Sequence, residues 1–370
     1  MTTLDTAGVR RAWGWVAALR GGSATPWSQW AGEAGPSAGE LPGAHQLELL
    51  RRLNAARPGG VPAALAERVL AADLPGRGRR DVPLAGAGEP RFGPAPVDPG
   101  DLAPEELLRL ASGLLAEDLA GCSVPPDPWP RRRPWAPSYA LAGDPWHVAH
   151  LRSELGRRGR PERPAPRRVY VVAEDLATQL AHAWTARAFA ESGTGWPAWL
   201  GRFVAHDLLP RRADPLEPAR EWAARLGPER VTLVTEPALL RQPLRLRRLS
   251  APPPVTAEGV DLARRISTTL GILVPTERRT DLLRGVLLPR LPQDPRSVVT
   301  VPPAWQEWVQ DRARRIRDEA LAEGYPVLGD PDRLVPQATS EGRRPVEVDV
   351  LAAALDLLLD PVTARTEAAR

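Results

Sequence analysis

The sequence predicts an α/β fold: a parallel sheet flanked by helices, preceded by a mostly helical N-terminal region. Three observations predict it. From residue 138 onward, short apolar runs rich in valine alternate with amphipathic stretches of helical period, the pattern of a parallel sheet covered on both faces. Before residue 125 the apolar spacing is helical wherever it is periodic. Between them, CSVPPDPWPRRRPWAP (122–137) carries six prolines and cannot hold regular structure. The chain therefore divides into a helical N-terminal region (1-125), a Pro-rich linker (126-137), an α/β domain (138-336), and a C-terminal helix and tail (337-370).

The elements follow in order. VRRAWGWVAALR sets Val9, Trp13, Val16 and Leu19 at helical spacing. HQLELLRRLNAAR and PAALAERVLAADL are two further amphipathic helices, each closed by Pro or Gly. PEELLRLASGLLAEDLAG (104–121) opens on Pro and two Glu, which suit the positive end of a helix dipole, and stops at Gly121. YALA is a short strand leading through a turn into the helix WHVAHLRSEL. RVYVVAEDLATQLAHAW is a strand at Val169 to Val172 running into a second helix. EPAREWAARLG and ERVTLVTE repeat the helix–strand order. GVDLARRISTTLGI begins a helix near Gly259. PPAWQEWVQDRARRIRDEALAEGY is a long one with Trp305, Trp308, Ile316 and Leu321 on its expected buried stripe. VDVLAAALDLLLD is the last.

Composition narrows the function classes. At 370 residues with 43% hydrophobic content, the chain can build two domains with real cores. All 49 basic residues are Arg, Asn occurs only at Asn54, and Ile occurs three times. That bias follows GC-rich codons and points to a GC-rich bacterial genome. The absence of lysine excludes a Walker-type ATPase, a kinase with its usual lysine and a pyridoxal phosphate enzyme. The formal charge of +4, with 45 acidic residues interspersed among the arginines, argues against nucleic acid as a partner. The single Cys122 leaves no internal disulfide and no multi-cysteine zinc site. No run of about 18 apolar residues or signal-like leader is present, so a cytoplasmic protein with no membrane span is expected.

The candidate chemistry centres on SYALAGDPWHVAHLRSELGRRG (138–159). Its strand, tight turn and helix outline a phosphate-binding loop, with Gly143, Asp144 and Trp146 at the turn and the helix dipole behind. Pro145 removes an amide donor there. His147 and His150 stand three apart on the helix, but no third ligand is evident, and no metal site is expected. Glu174 and Asp175 end a strand, where open α/β sheets bind ligands, although Asp175 also suits a helix N-cap. His182 lies two helical turns beyond Asp175. His206-Asp207 is a further acid–base pair by sequence, and Ser192 lacks a nucleophile-elbow context. Arginines at 131–133, 157–168 and 244–248 are candidate anion grips.

From VYVVAEDLATQLAHAW through HDLLPRRADPLEPAREWAARLGPERVTLVTEP to VTVPPAWQEWVQDRARRIRDEALAEGYPVLGDPDRLVP, the chain resembles actinobacterial sulfotransferase-like proteins, over residues 138 to 336. The resemblance implies a P-loop α/β fold and sulfuryl transfer from 3′-phosphoadenosine 5′-phosphosulfate. It also implies a first loop of the form G-x-x-K-S-G-T-T, where this chain has AGDPWHVAHL. An Arg and a Ser that hold the 3′-phosphate in the family correspond to Ala173 and to Ala181 or His182.

Three readings follow. In the first, this is a degenerate member that acts as a non-catalytic binding or scaffolding module, with no cofactor and with a protein partner met through the N-terminal helices. In the second, a transferase uses a phosphosulfate nucleotide on a rearranged Arg-based anion site, with Arg131 to Arg133 or Arg187 in place of the lysine and His147 or His182, with Glu174 nearby, as base. In the third, it is a nucleic-acid accessory protein.

Overall fold

In the computed structural model the chain runs α1 (Ala7–Arg20), α2 (Ala44–Ala56), α3 (Ala63–Ala71), α4 (Pro104–Ala120), β1 (Tyr139–Gly143), α5 (Pro145–Arg157), β2 (Arg168–Val172), α6 (Leu176–Ala188), α7 (Trp196–Ala205), α8 (Leu216–Leu226), β3 (Val231–Val234), α9 (Ala257–Leu273), α10 (Thr276–Leu282), α11 (Gln306–Ala322), β4 (Val327–Leu328) and α12 (Glu347–Leu359). The structure describes residues 6–38, 40–73, 82–87, 94–124, 137–191, 193–337 and 342–360. Most of the expected Pro-rich linker, including Arg131 to Arg133, lies outside the described residues, as does Ser192. Among the described residues no helix is long and apolar enough to cross a membrane.

The chain forms two units. One gathers 1–123, 265–290 and 346–370; the other gathers 124–264 and 291–345. The boundary falls inside α9. Residues 265–290, expected within the segment 138-336, group with the N-terminal helices, as does α12.

Among its described residues the first unit holds helices and one isolated bridge, Leu84–Val97, and no strand. α4 packs along α12, and both pack on α2, which also meets α1 and α3. The reason is visible in α4, where Leu107, Leu108, Leu110, Leu114, Leu115 and Leu119 are buried. Each such leucine contributes about 2 kcal/mol of transfer free energy when fully covered. Asn54, the chain's only asparagine, ties this core to its loops. Its Nδ2 donates to the carbonyls of Leu19 (2.8 Å) and Ser23 (2.9 Å), and its Oδ1 accepts from the Val61 amide (3.2 Å).

The second unit is built on a four-stranded, fully parallel sheet in the order β1-β2-β3-β4. The alternation of strands and helices is therefore as expected, with β4 as an additional two-residue strand. Residues pair in register along rows, and the last row is Gly143–Val172–Val234–Leu328. Side chains alternate across the pleat. Tyr139, Leu141, Tyr170, Val172 and Val234 form one face, packed with Val148, Leu151 and Leu155 of α5 and with Leu240 and Leu244. α8 packs against β1, β2 and β3. β1 is an edge strand, and side chains protect its free edge: the Leu141 amide donates to Glu162 Oε1 (2.5 Å) and Arg152 Nη2 donates to the Leu141 carbonyl (2.7 Å).

One expected stripe is corrected. α11 buries Val309, Ala313, Ile316 and Ala320 rather than a face through Trp305, Trp308 and Leu321. The observed set keeps the i, i+4, i+7, i+11 spacing of one helical face. Trp308 instead donates its Nε1 to Asp207 Oδ1 (2.8 Å), and Leu321 is exposed.

Candidate functional site

Because the sheet is parallel and its last row is in register, the residues that follow the four strands emerge along one edge. They are Asp144 after β1, Glu174 and Asp175 after β2, Glu236 after β3 and Asp330 after β4. All four strands thus deliver a carboxylate to the edge where open α/β sheets bind ligands.

The β1–α5 turn depends on Gly143, whose φ is +92°. A Cβ there would stand 2.1 Å from the Val172 carbonyl oxygen. The close approach lets the Asp144 amide donate to that same oxygen at 2.9 Å. Gly143 therefore shapes the turn, and it does not line the cavity described below.

Asp144 then caps α5. Its Oδ1 accepts from the amides of Trp146 (3.0 Å) and His147 (2.8 Å), and Pro145 occupies the first helical position, where an amide has no helical acceptor. The donors that a bound phosphate would need are thus already taken by the chain's own carboxylate. Asp175 does the same for α6, accepting from the Thr178 amide (3.0 Å) and hydroxyl (2.7 Å). Both helix starts at this edge are filled from within.

The second oxygen of Asp144 reaches across the fold. Asp144 is 0% exposed, and its Oδ2 accepts from His182 Nδ1 at 2.6 Å. His147 Nδ1 is likewise hydrogen-bonded to Glu174 Oε1. Burial alone would lower the pKa of His182, but the carboxylate of Asp144, aided by Glu174 and Asp175, outweighs it and raises the value. One ligand atom each from Asp144, Glu174 and His182 lie within 4.8 Å of one another.

This cluster borders a cavity of about 1160 Å³ within the α/β unit. Glu174, Asp175, Glu236, Asp330 and Asp332 line it, against a single lining arginine, Arg333, whose Nη1 is 3.3 Å from Glu236. The run Pro252–Pro254, with Val299, Val301 and Val309, supplies an apolar wall. Trp146 fixes that wall: it packs on Phe189 with ring centroids 5.1 Å apart, and its Nε1 points to the Pro253 carbonyl at 3.4 Å.

The structure brings together Asp144, Trp146, His147, Glu174, Asp175 and His182. It does not bring in Arg187, which sits on the last turn of α6 beside Glu191 (3.9 Å) and lines no part of the cavity. His147 and His150 do not converge as a pair. His150 turns to Ser250, with Nε2 3.0 Å from Oγ. Asp207 is held by Trp308 and Arg312 outside the cavity. The arginines of 157–168 include Arg158, on Glu154 (2.6 Å), and Arg160, on the carbonyls of Leu244 and Arg245. Sequence reasoning missed Glu236, Asp330 and the cavity itself. The signal was an acid within two residues of every strand's carboxyl end. No family model, curated protein or solved structure matches the chain.

Proposed function

We propose that the α/β unit is a small-molecule binding module whose cavity takes an organic cation: an amine or guanidinium head group on an apolar body. One observation carries the reading. The segments that follow β2, β3 and β4 put five carboxylates and one arginine on one cavity. In a recess of low dielectric such a lining attracts positive charge and repels anions. The apolar wall would bury the ligand's body, and the carboxylates would fix its orientation.

The resemblance to sulfotransferase-like proteins stays a proposal about ancestry. On that view the first loop is a former anion site whose donors now serve Asp144, and the unit binds rather than transfers. A phosphosulfate would meet Glu174 and Asp175 where it needs cations.

The test is calorimetric titration of the purified protein with a panel of diamines, aryl-alkyl amines and guanidines, beside adenosine 3′,5′-bisphosphate. A member of the cationic set should bind saturably, weaken about tenfold in Glu236→Gln and weaken with salt. Tight binding of the bisphosphate with no cationic ligand would reverse the reading in favour of the phosphosulfate-dependent one.

A further inference from the structure

The structure assigns a divalent metal site to the floor of this cavity, held by Asp144, Glu174 and His182 with His147 alongside. The inference rests on the proposed cation-binding cavity and names its innermost occupant. Three potential ligand atoms, from the β1–α5 turn, the end of β2 and the middle of α6, lie within 4.8 Å of one another. Asp144 is 0% exposed and Glu174 has only 22% of its side chain exposed, yet neither has an arginine partner among the described residues. Buried carboxylates elsewhere in the chain do have one: Glu48 lies between Arg51 (2.7 Å) and Arg52 (2.8 Å). Taking carboxylates out of water is costly, and here two imidazoles and two backbone amides face them with no guanidinium.

A second observation points the same way. The His147 side chain is 6% exposed, lines the cavity, and has no hydrogen-bond partner for Nε2 among the described residues. A cluster of two carboxylates and two imidazoles is an N/O donor set of the kind that suits zinc and its first-row neighbours rather than calcium or magnesium. Three protein ligands would leave coordination positions open toward the cavity.

The surroundings fit a held ligand set. The outer oxygen of Asp144 is fixed by two amides, and carboxylates fixed in this way orient metal ligands. Ligation by both Asp144 and His182 would require their hydrogen bond to open, since 2.6 Å between Oδ2 and Nδ1 is too short to admit an ion. The Nδ1 proton leaves to solvent and His182 coordinates as neutral imidazole.

The experiment uses untagged full-length protein stripped with chelator and dialysed, then titrated with Co²⁺ and Zn²⁺. Readouts are elemental analysis, visible absorption of the Co²⁺ form and melting temperature. One ion per chain, Co²⁺ d–d bands displaced by Zn²⁺, and binding at least about 100-fold weaker in His182→Gln and Glu174→Gln are expected. Glu67→Gln, on exposed α3 of the helical unit and away from the cavity, should bind as the parent does. Circular dichroism of each variant separates lost ligation from lost folding. If His182→Gln does not fold, Glu174→Gln, whose side chain is partly exposed, carries the test. Substoichiometric metal, or equal affinity in the folded variants, overturns the site. Organic cations that still bind the stripped protein would leave the cation-binding reading standing while the metal fails; metal binding without any organic ligand would do the reverse.

Discussion

The turns β1–α5 and β2–α6 use the same device and put it to different ends. Each ends a parallel strand, each starts a helix with an aspartate cap, and each cap sits at the sheet's carboxyl edge. Asp175 spends both oxygens on Thr178, three residues away. Asp144 spends one on its own helix and the other on His182, 38 residues away on α6. The difference teaches that a cap closed within its own turn stabilises a helix, whereas a cap with a lone pair left over can join two elements and build a site.

The largest expected effect comes from removing the glycine that makes the first turn possible. Gly143→Ala places a Cβ against the Val172 carbonyl in left-handed backbone, and urea denaturation should show a loss on the order of 4 kcal/mol. A loss below about 1 kcal/mol would mean the turn relaxes freely.

Next come the caps themselves. Asp144→Ala should cost about 3 kcal/mol, because it frees two amides and strands the His182 ring N–H; Asp175→Ala should cost about 1 kcal/mol. Equal costs would erase the contrast between the turns.

A double-mutant cycle sharpens it further. Asp144→Asn with His182→Gln, measured in chelator, should show coupling of about 2 kcal/mol, against a few tenths for Asp175→Asn with Thr178→Val.

The smallest effect is a pH dependence. Burial, opposed by Glu154 and assisted by His147 and Arg157, lowers the pKa of His150 below 6.5. As pH falls below 6.5 the unfolded chain takes up a proton before the folded one, and stability drops. His150→Gln should remove that part of the acid-side loss, so the variant gains on the parent between pH 6.5 and 5. A constant difference across that range would contradict the assignment.

The sequence showed what depends on neighbours a few residues apart. The cap at Asp175, the start of α4 at Pro104 and the valine run of β2 were each legible because turn chemistry, dipole and alternation act locally. The site was legible only in fragments. His147 and His182 both stood out, but a shared helix suggested His150 as the partner of the first, and the fold gives it Glu174, 27 residues away. Only the parallel pairing of β1, β2 and β3 puts those strand ends side by side, and strand order has no local signature. The stripe on α11 failed for a related reason: indole rings have a polar edge, and Trp308 turned its edge to Asp207 instead of facing the core.

The composition of the helical unit from separated stretches of chain has a consequence for synthesis. α4 ends at Ala120 and its packing partner α12 begins at Glu347, with the entire sheet encoded between them. A ribosome adding roughly 5–20 residues per second would expose the leucine face of α4 for on the order of ten to fifty seconds before α12 emerges. During that interval α2 can cover its share of that face, and the share that belongs to α12 stays open to water.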